Sequence, residues 1–307
     1  MKVLISSKSF NCDDDNIRLL KGAGFNSIVI PGRKLEINEF KDFISDADGI
    51  IAGTEQITKE LLDHAKLLKA ISRFGVGTDN IDLAAAAEKK IIVLNTPSAP
   101  TDAVAELTIA LILNIIRKIS EVNKAMHSGQ WKPVMGTLLR GKTIGIIGLG
   151  RIGKEVIRLL SLFGLTMIAY EPYPDIQFIK EYNIKLLSYE EVISISDIIS
   201  LHVPLTEKTY HMIDHGEFSI MKPSAILINT ARGSLINEEA LINALKLNLI
   251  SGAALDVFEN EPYDGELAKF DNVILTSHIG SMTTETRIKM EREAVENLIR
   301  AIEVVKK

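Results

Sequence analysis

The chain has 307 residues, a length that suggests two domains at roughly 150 residues each. Its 40 acidic residues against 35 basic ones, a formal net charge of −5, argue against a protein that grips nucleic acid through a basic surface. With 46% hydrophobic and 24% charged residues, bulk disorder is excluded, and the single cysteine, Cys12, allows neither an internal disulfide nor a cysteine zinc cage. A cytoplasmic, metal-independent protein is expected. The apolar run at residues 3–5 is too short for a signal-peptide core. The run over 107–116, interrupted by Thr108 and Asn114, falls short of the roughly 20 residues a membrane span needs, so no membrane insertion is expected.

Short runs rich in Val and Ile alternate with segments of helical period. Val3-Leu4-Ile5 opens the series, followed by a helix-like stretch over 16–20 that stops at Gly22, and by strands at 27–30, 49–52, 68–72 and 91–94. Continuous apolar runs separated by helices fit strands buried on both faces, that is, a parallel sheet covered by helices. Pro97 and Pro100 then frame a polar junction. Residues 101 to about 125 read as one long helix, with Asp102 and Glu106 near its positive end. Leu107, Ile109, Leu111, Ile112, Ile115 and Ile116 on this helix exceed one packing face, and the surplus is assigned to a homodimer interface. The alternation resumes at 143–147 and continues at 166–170, 197–201, 225–229, 252–255 and 273–276. The tail from Thr284 is an amphipathic helix, with Ile288, Met290, Ala294, Leu298, Ile299 and Ile302 on its apolar side. The expected fold class is α/β, with two doubly wound parallel-sheet domains.

Gly148-Leu149-Gly150-Arg151-Ile152-Gly153 follows a strand directly and opens a helix. The first glycine permits the tight turn, the second lets backbone approach a pyrophosphate, and the third lets helix and strand pack closely. Glu171 closes the next strand about 20 residues on, where a carboxylate meets the cofactor ribose. No Arg or Lys stands among residues 172–175 to receive a 2′-phosphate, so NAD is expected rather than NADP.

Among the six histidines, His211 and His215 have the i, i+4 spacing of metal ligands but lack the Glu of a zinc motif, and no metal site is assigned. His202, just past a strand and before Pro204, reads as a cofactor-side or packing residue. His278 follows the strand over 273–276, in the region where ligands of open α/β sheets bind. Arg232, after the strand over 225–229, and Glu261, beyond the strand over 252–255, share that placement. An imidazole, a guanidinium and a carboxylate at one sheet edge suit a hydroxy-acid dehydrogenase; taken singly, each also fits an unremarkable surface position.

Residues 145–153, 229–233, 256–262 and 275–280, together with 74–82 and 103–106, resemble the D-isomer-specific 2-hydroxyacid dehydrogenases, phosphoglycerate dehydrogenase-like branch. The resemblance implies a flavodoxin-like substrate-binding domain at 1–98, completed by the C-terminal helix 285–307, and a Rossmann-type NAD-binding domain at 99–284, with the site in the cleft between them. It implies catalysis by Arg232, Glu261 and His278 and substrate binding by Arg73, Gly75, Val76 and Gly77. Cofactor contacts are expected at Gly148, Gly150, Arg151, Ile152, Gly153, Glu171, His202, Pro204, Thr209, Thr230, Ala231, Asp256 and Gly280. Three departures stand out: Ser277 where the family carries Pro, Glu171 where Asp is commoner, and no arginine at 52–54, leaving Arg73 as the cation on that side. The expected substrate pair is 3-phosphoglycerate and 3-phosphohydroxypyruvate. The alternatives are a glyoxylate, hydroxypyruvate or D-lactate-type reductase and, in another class, a non-catalytic NAD(H)-sensing binding protein. With the chain ending at Lys307, no serine-sensing regulatory domain is expected.

Overall fold

The apolar runs become the strands of two parallel sheets. The structure, a computed structural model, describes residues 1–7, 9–33 and 35–306. Lys8, Lys34 and Lys307, the last residue of the expected tail helix, lie outside the described residues. By internal contacts the chain divides into two units, Met1–Pro100 with Met282–Lys307, and Thr101–Ser281.

In the first unit β1 (Lys2–Ile5), β2 (Ser27–Val29), β3 (Gly49–Ala52), β4 (Ala70–Arg73) and β5 (Ile92–Asn95) form an all-parallel sheet in the order β2-β1-β3-β4-β5. Alternate residues of each strand face opposite sides. Leu4, Ile50 and Ile71 therefore pack with Phe40, Ile44, Leu61 and Leu62, while Val3, Ile5 and Ile51 pack with Leu20, Phe25 and the tail helix Thr284–Lys306. That helix lies close: a Cβ at Gly49 would stand 2.8 Å from Leu298, and the buried Ser72 hydroxyl donates to the Ala294 carbonyl at 2.7 Å. Met290, Ala294, Leu298 and Ile302 face the sheet, as expected, but Ile288 is exposed. Two residues before Met290 is about 200° around a helix, which turns Ile288 away from the buried stripe.

In the second unit β6 (Thr143–Ile147), β7 (Thr166–Tyr170), β8 (Lys185–Leu186), β9 (Ile198–Leu201), β10 (Ile226–Asn229), β11 (Gly252–Leu255) and β12 (Val273–Leu275) run parallel in the order β12-β11-β10-β9-β6-β7-β8. The two orders are the flavodoxin-like and Rossmann-type doubly wound arrangements, each with a point where the winding reverses: between β1 and β3, and between β6 and β9.

The single long helix expected from residue 101 is two: α1 (Thr101–Arg117) and α2 (Ile119–His127). Lys118 between them is left-handed, with φ of 58°. Asn114 spans the break, its Oδ1 accepting the Ser120 amide at 2.9 Å, and Thr137 N donates to the Ile116 carbonyl at 2.9 Å. The apolar surplus assigned to an interface is also smaller than expected. Leu111, Ile112, Ile115 and Ile116 are buried in the core of their own unit, with Leu107 and Ile109 partly buried against it. Among the described residues no helix is long and apolar enough to cross a membrane.

Candidate active site

β6 runs into the glycine loop and then into α3 (Arg151–Leu160). Gly148 has φ of 97°, and a Cβ there would lie 2.7 Å from the His202 carbonyl oxygen, so the turn requires glycine. At Gly153 a Cβ would collide with the Gly148 carbonyl, whereas at Gly150 it would meet only open space. The first and third glycines thus let the chain pack on itself, and the second leaves backbone open to an approaching group. No side chain caps α3, so its first amides are available to an anion. The cradle therefore fits a dinucleotide pyrophosphate. Glu171 reaches back to it, accepting from Leu149 N at 2.8 Å and Tyr173 N at 2.9 Å. Arg151 is exposed and Ile152 partly buried.

β9 ends beside this loop. His202 Nε2 lies 2.8 Å from Ser200 Oγ, and Thr209 donates from its hydroxyl to the Pro204 carbonyl at 2.7 Å, closing the turn over 204–209. Burial pushes the His202 ring down to about 4. Between that value and the ordinary one of about 6.5 the unfolded chain binds a proton that the folded chain refuses. Stability therefore falls as the pH falls through this window, by up to about 3 kcal/mol at about 1.4 kcal/mol per pH unit. Thermal midpoints of the parent and His202→Gln should diverge between about pH 6.5 and 4, the variant losing less. Parallel curves would mean that this ring is not the titrating group.

Three loops at the carboxyl ends of β10, β11 and β12 carry the charged groups. Asn229, fully buried, accepts from Ala231 N at 3.0 Å and donates to the Arg232 carbonyl at 2.8 Å, shaping the segment that presents Arg232. The next residue, Gly233, leaves no room for a Cβ against Phe258 and Glu259, so the loop after β10 is pressed onto the loop after β11. Glu261 in that second loop has Oε2 2.8 Å from His278 Nδ1, while its Oε1 accepts from Phe258 N at 3.2 Å. Burial pushes the Glu261 carboxyl up, but the hydrogen bond and charge of His278, with the charge of Arg232 added, leave it below the usual carboxylate range. An ionised Glu261 can only accept, so His278 Nδ1 carries the proton and Nε2 is the ring nitrogen turned away from Glu261.

His278 itself is left-handed, with φ of 55°. Asp256 holds it so: its Oδ1 accepts from the Thr276 hydroxyl at 2.6 Å and Ile279 N at 2.8 Å, and its Oδ2 accepts from Gly280 N at 2.8 Å. Asp256 was expected to face the cofactor, but it is buried and its oxygens are engaged by the loop carrying His278. Thr230 is similarly buried, its hydroxyl 2.9 Å from that of Thr108. Asn229, Gly233 and Thr276 are supports that sequence reasoning missed; their one signal is adjacency to strand ends.

In the first unit Arg73 closes β4, buried, donating to the Phe74 carbonyl. Its guanidinium lies across Gly75, where φ is 146° and no Cβ fits. The Gly75 amide, expected to bind substrate, is already given to the Thr96 hydroxyl at 2.8 Å. That leaves the amides of Val76 and Gly77 as the donors of this loop. His211 and His215 do not share a helix: His211 lies in a turn with its Nε2 3.0 Å from a Glu259 oxygen, and His215 opens the helix His215–Ile220.

A pyrophosphate cradle in a Rossmann-type sheet, with a proton-carrying imidazole at the same carboxyl edge, defines a dinucleotide-dependent oxidoreductase. The family model described as D-isomer specific 2-hydroxyacid dehydrogenase, NAD binding domain, matches residues 109–280. The chain belongs to the D-isomer specific 2-hydroxyacid dehydrogenase family, and is an NAD-dependent enzyme of that family. It is 46% identical over 256 residues to a glyoxylate reductase of Thermococcus litoralis, covering 80% of this chain and 77% of that one. It is 42% identical over 280 residues to a D-3-phosphoglycerate dehydrogenase of Methanocaldococcus jannaschii, covering 89% of this chain but only 53% of that one, so this chain spans about half of that relative. A solved glyoxylate reductase from Paecilomyes thermophila superposes with a TM-score of 0.89 at 31% identity, covering 99% of this chain and 95% of that one.

Proposed function

We propose that His278, Glu261 and Arg232 carry the interconversion of a 2-keto acid and its D-2-hydroxy acid, and that the unit built on residues 1–100 binds the substrate. The observation that carries this reading is the 2.8 Å contact between Glu261 and His278, with Arg232 close enough to depress the same carboxylate. When bound, NAD(H) supplies or takes the hydride at C2 of the substrate. In reduction His278 gives the proton on Nε2 to the keto oxygen, and in oxidation the same nitrogen takes it back. Glu261 keeps the ring oriented throughout and balances the charge of the imidazolium. Arg232 pairs with the substrate carboxylate through a two-pronged fork that lysine does not offer. The glycine cradle and Glu171 hold the dinucleotide, and Glu171 repels a 2′-phosphate.

For the substrate, the favoured reading is a short unphosphorylated 2-keto acid, glyoxylate or hydroxypyruvate. Its support is the relatives named glyoxylate reductase. Phosphohydroxypyruvate is the second reading, supported by Arg73 and by the phosphoglycerate dehydrogenase relatives. Initial rates of NADH oxidation with glyoxylate, hydroxypyruvate, phosphohydroxypyruvate and pyruvate separate them. The favoured reading expects no gain from the phosphate; a kcat/KM at least tenfold higher for the phosphorylated acid would reverse the order.

We further infer a homodimer. Its support is not the buried face of α1 but the segment after α2, where Trp131 is 84% exposed, Met135 92% and Leu138 73%. Aromatic and methionine side chains left open on one segment suit the centre of an interface. Sedimentation at micromolar concentration should give a dimer, and Trp131→Asp should weaken it about 30-fold or more. A monomeric parent protein would refute the inference.

A further inference from the structure

The loops after β9, β10 and β11 meet at one carboxylate outside the trio. Glu259 lies in the loop that carries Glu261, and Glu238 opens the helix Glu238–Lys246 beyond the loop that carries Arg232. The two residues exchange bonds: Glu259 Oε1 accepts from Glu238 N at 3.0 Å, and Glu238 Oε1 accepts from Glu259 N at 2.7 Å. Residue 259 is thus pinned through its side chain and its main chain at once. The exchange brings two carboxylates together; burial, with the facing charge of Glu259 added, pushes the Glu238 carboxyl up. Against them stands an imidazole. His211 Nε2, a buried atom, lies 3.0 Å from Glu259 Oε1, at ion-pair distance, and offsets the charge concentrated there.

His211 is held there at a cost. Its backbone is left-handed, with φ of 50°, a conformation that side chains other than glycine adopt only where the surroundings impose it. Its amide donates at 2.8 Å to the carbonyl of Ser234, two residues past Arg232, and the Tyr210 ring stacks on its own with centroids 3.9 Å apart. Ile213 and Ile236 then pair as a parallel bridge, which extends the tie between the same two loops. His211 thus joins the loop after β9 to the Arg232 loop through its backbone and to the Glu261 loop through its ring. These contacts lie beyond the strand ends, at the edge where Arg232 and Glu261 are presented.

We propose that Glu259, braced by His211, is a positioning residue: it fixes the loop so that Glu261 meets the His278 ring, without itself touching substrate. The proposal rests on the reading of Arg232, Glu261 and His278 as the catalytic trio. A neutral imidazole can hold its proton on either nitrogen, and the bond made by one nitrogen decides which. With Glu261 in place the proton sits on Nδ1 of His278. With Glu261 displaced it redistributes toward Nε2.

The test pairs turnover with nitrogen-15 NMR of the His278 ring, whose signals are identified by their loss in His278→Asn and read at a pH where the imidazole is neutral. Glu259→Ala removes the side-chain half of the exchange, and His211→Asn withdraws the ring while tolerating the left-handed backbone. Each should lower kcat about 10- to 100-fold, the cost of a small misplacement of reacting groups, with NADH affinity within about twofold of the parent. In each, the His278 proton should move from Nδ1 toward Nε2. A parent-like kcat in either folded variant, or a lowered kcat with the proton still on Nδ1, overturns the proposal. Should circular dichroism show Glu259→Ala unfolded, His211→Asn decides alone. If the parent reduces no 2-keto acid, the functional reading fails while the NMR comparison still decides Glu259. A proton that moves in the variants upholds the positioning role, and one that stays rejects it.

Discussion

Replacing His278 by Asn lowers kcat by about 100- to 10,000-fold in both directions, the range for removing a positioned general acid or base. Asn is close in size to the proximal half of the imidazole and retains a donor toward Glu261, but it cannot carry a proton to or from the substrate oxygen. Asn also tolerates the left-handed backbone that this position demands, with φ of 55°, so the loop held by Asp256 should survive. The expected signature is a collapse of kcat with NADH affinity, read by quenching of protein fluorescence, within about twofold of the parent. Near-parent turnover in His278→Asn would remove the proposed acid-base role altogether.

Arg232→Ala should lower kcat/KM by about 30- to 5,000-fold, the span observed when one partner of a desolvated ion pair is truncated. Part of that loss lies in KM, because the substrate carboxylate loses its fork. Part lies in kcat, because a loosely held keto acid no longer presents its carbonyl to His278. Arg232→Lys keeps the charge but not the paired N–H geometry and should recover only part of the loss. The Asn229 side chain is bonded to the backbone of Ala231 and Arg232, so the loop is shaped independently of the Arg232 side chain and neither substitution should disturb the fold. A Lys variant equal to the parent would mean that Arg232 acts as a point charge rather than as a bidentate clamp.

Much of the architecture was legible because strands buried on both faces announce themselves. Val3 to Ile5 or Ala225 to Asn229 have no other apolar explanation, and the turn at Gly148 allows few others. Arg232, Glu261 and His278 stood out because each closes a strand or the loop beyond one. Features set by a single local conformation did not show. The break at Lys118 depends on Asn114 reaching six residues ahead to Ser120, and a hydrophobic stripe carries no trace of that bond. Ile288 is apolar yet exposed because its angle on the helix, about 200° from Met290, decides which side it takes. The Gly75 amide and the Asp256 carboxylate were each expected to meet a ligand; each instead bonds a neighbouring loop, through partners distant in sequence.

An enzyme of this family transfers hydride rather than only sensing the dinucleotide. The most direct measurement uses NADH deuterated at the transferable position of the nicotinamide, mixed with enzyme and hydroxypyruvate or glyoxylate, with the product analysed by mass spectrometry and, for hydroxypyruvate, chiral separation. Deuterium at C2 of the product, with the D-isomer formed from hydroxypyruvate, is the predicted result. Tight binding of the labelled NADH with no deuterium in any hydroxy acid would contradict the claim and leave a non-catalytic NAD(H)-binding protein in its place.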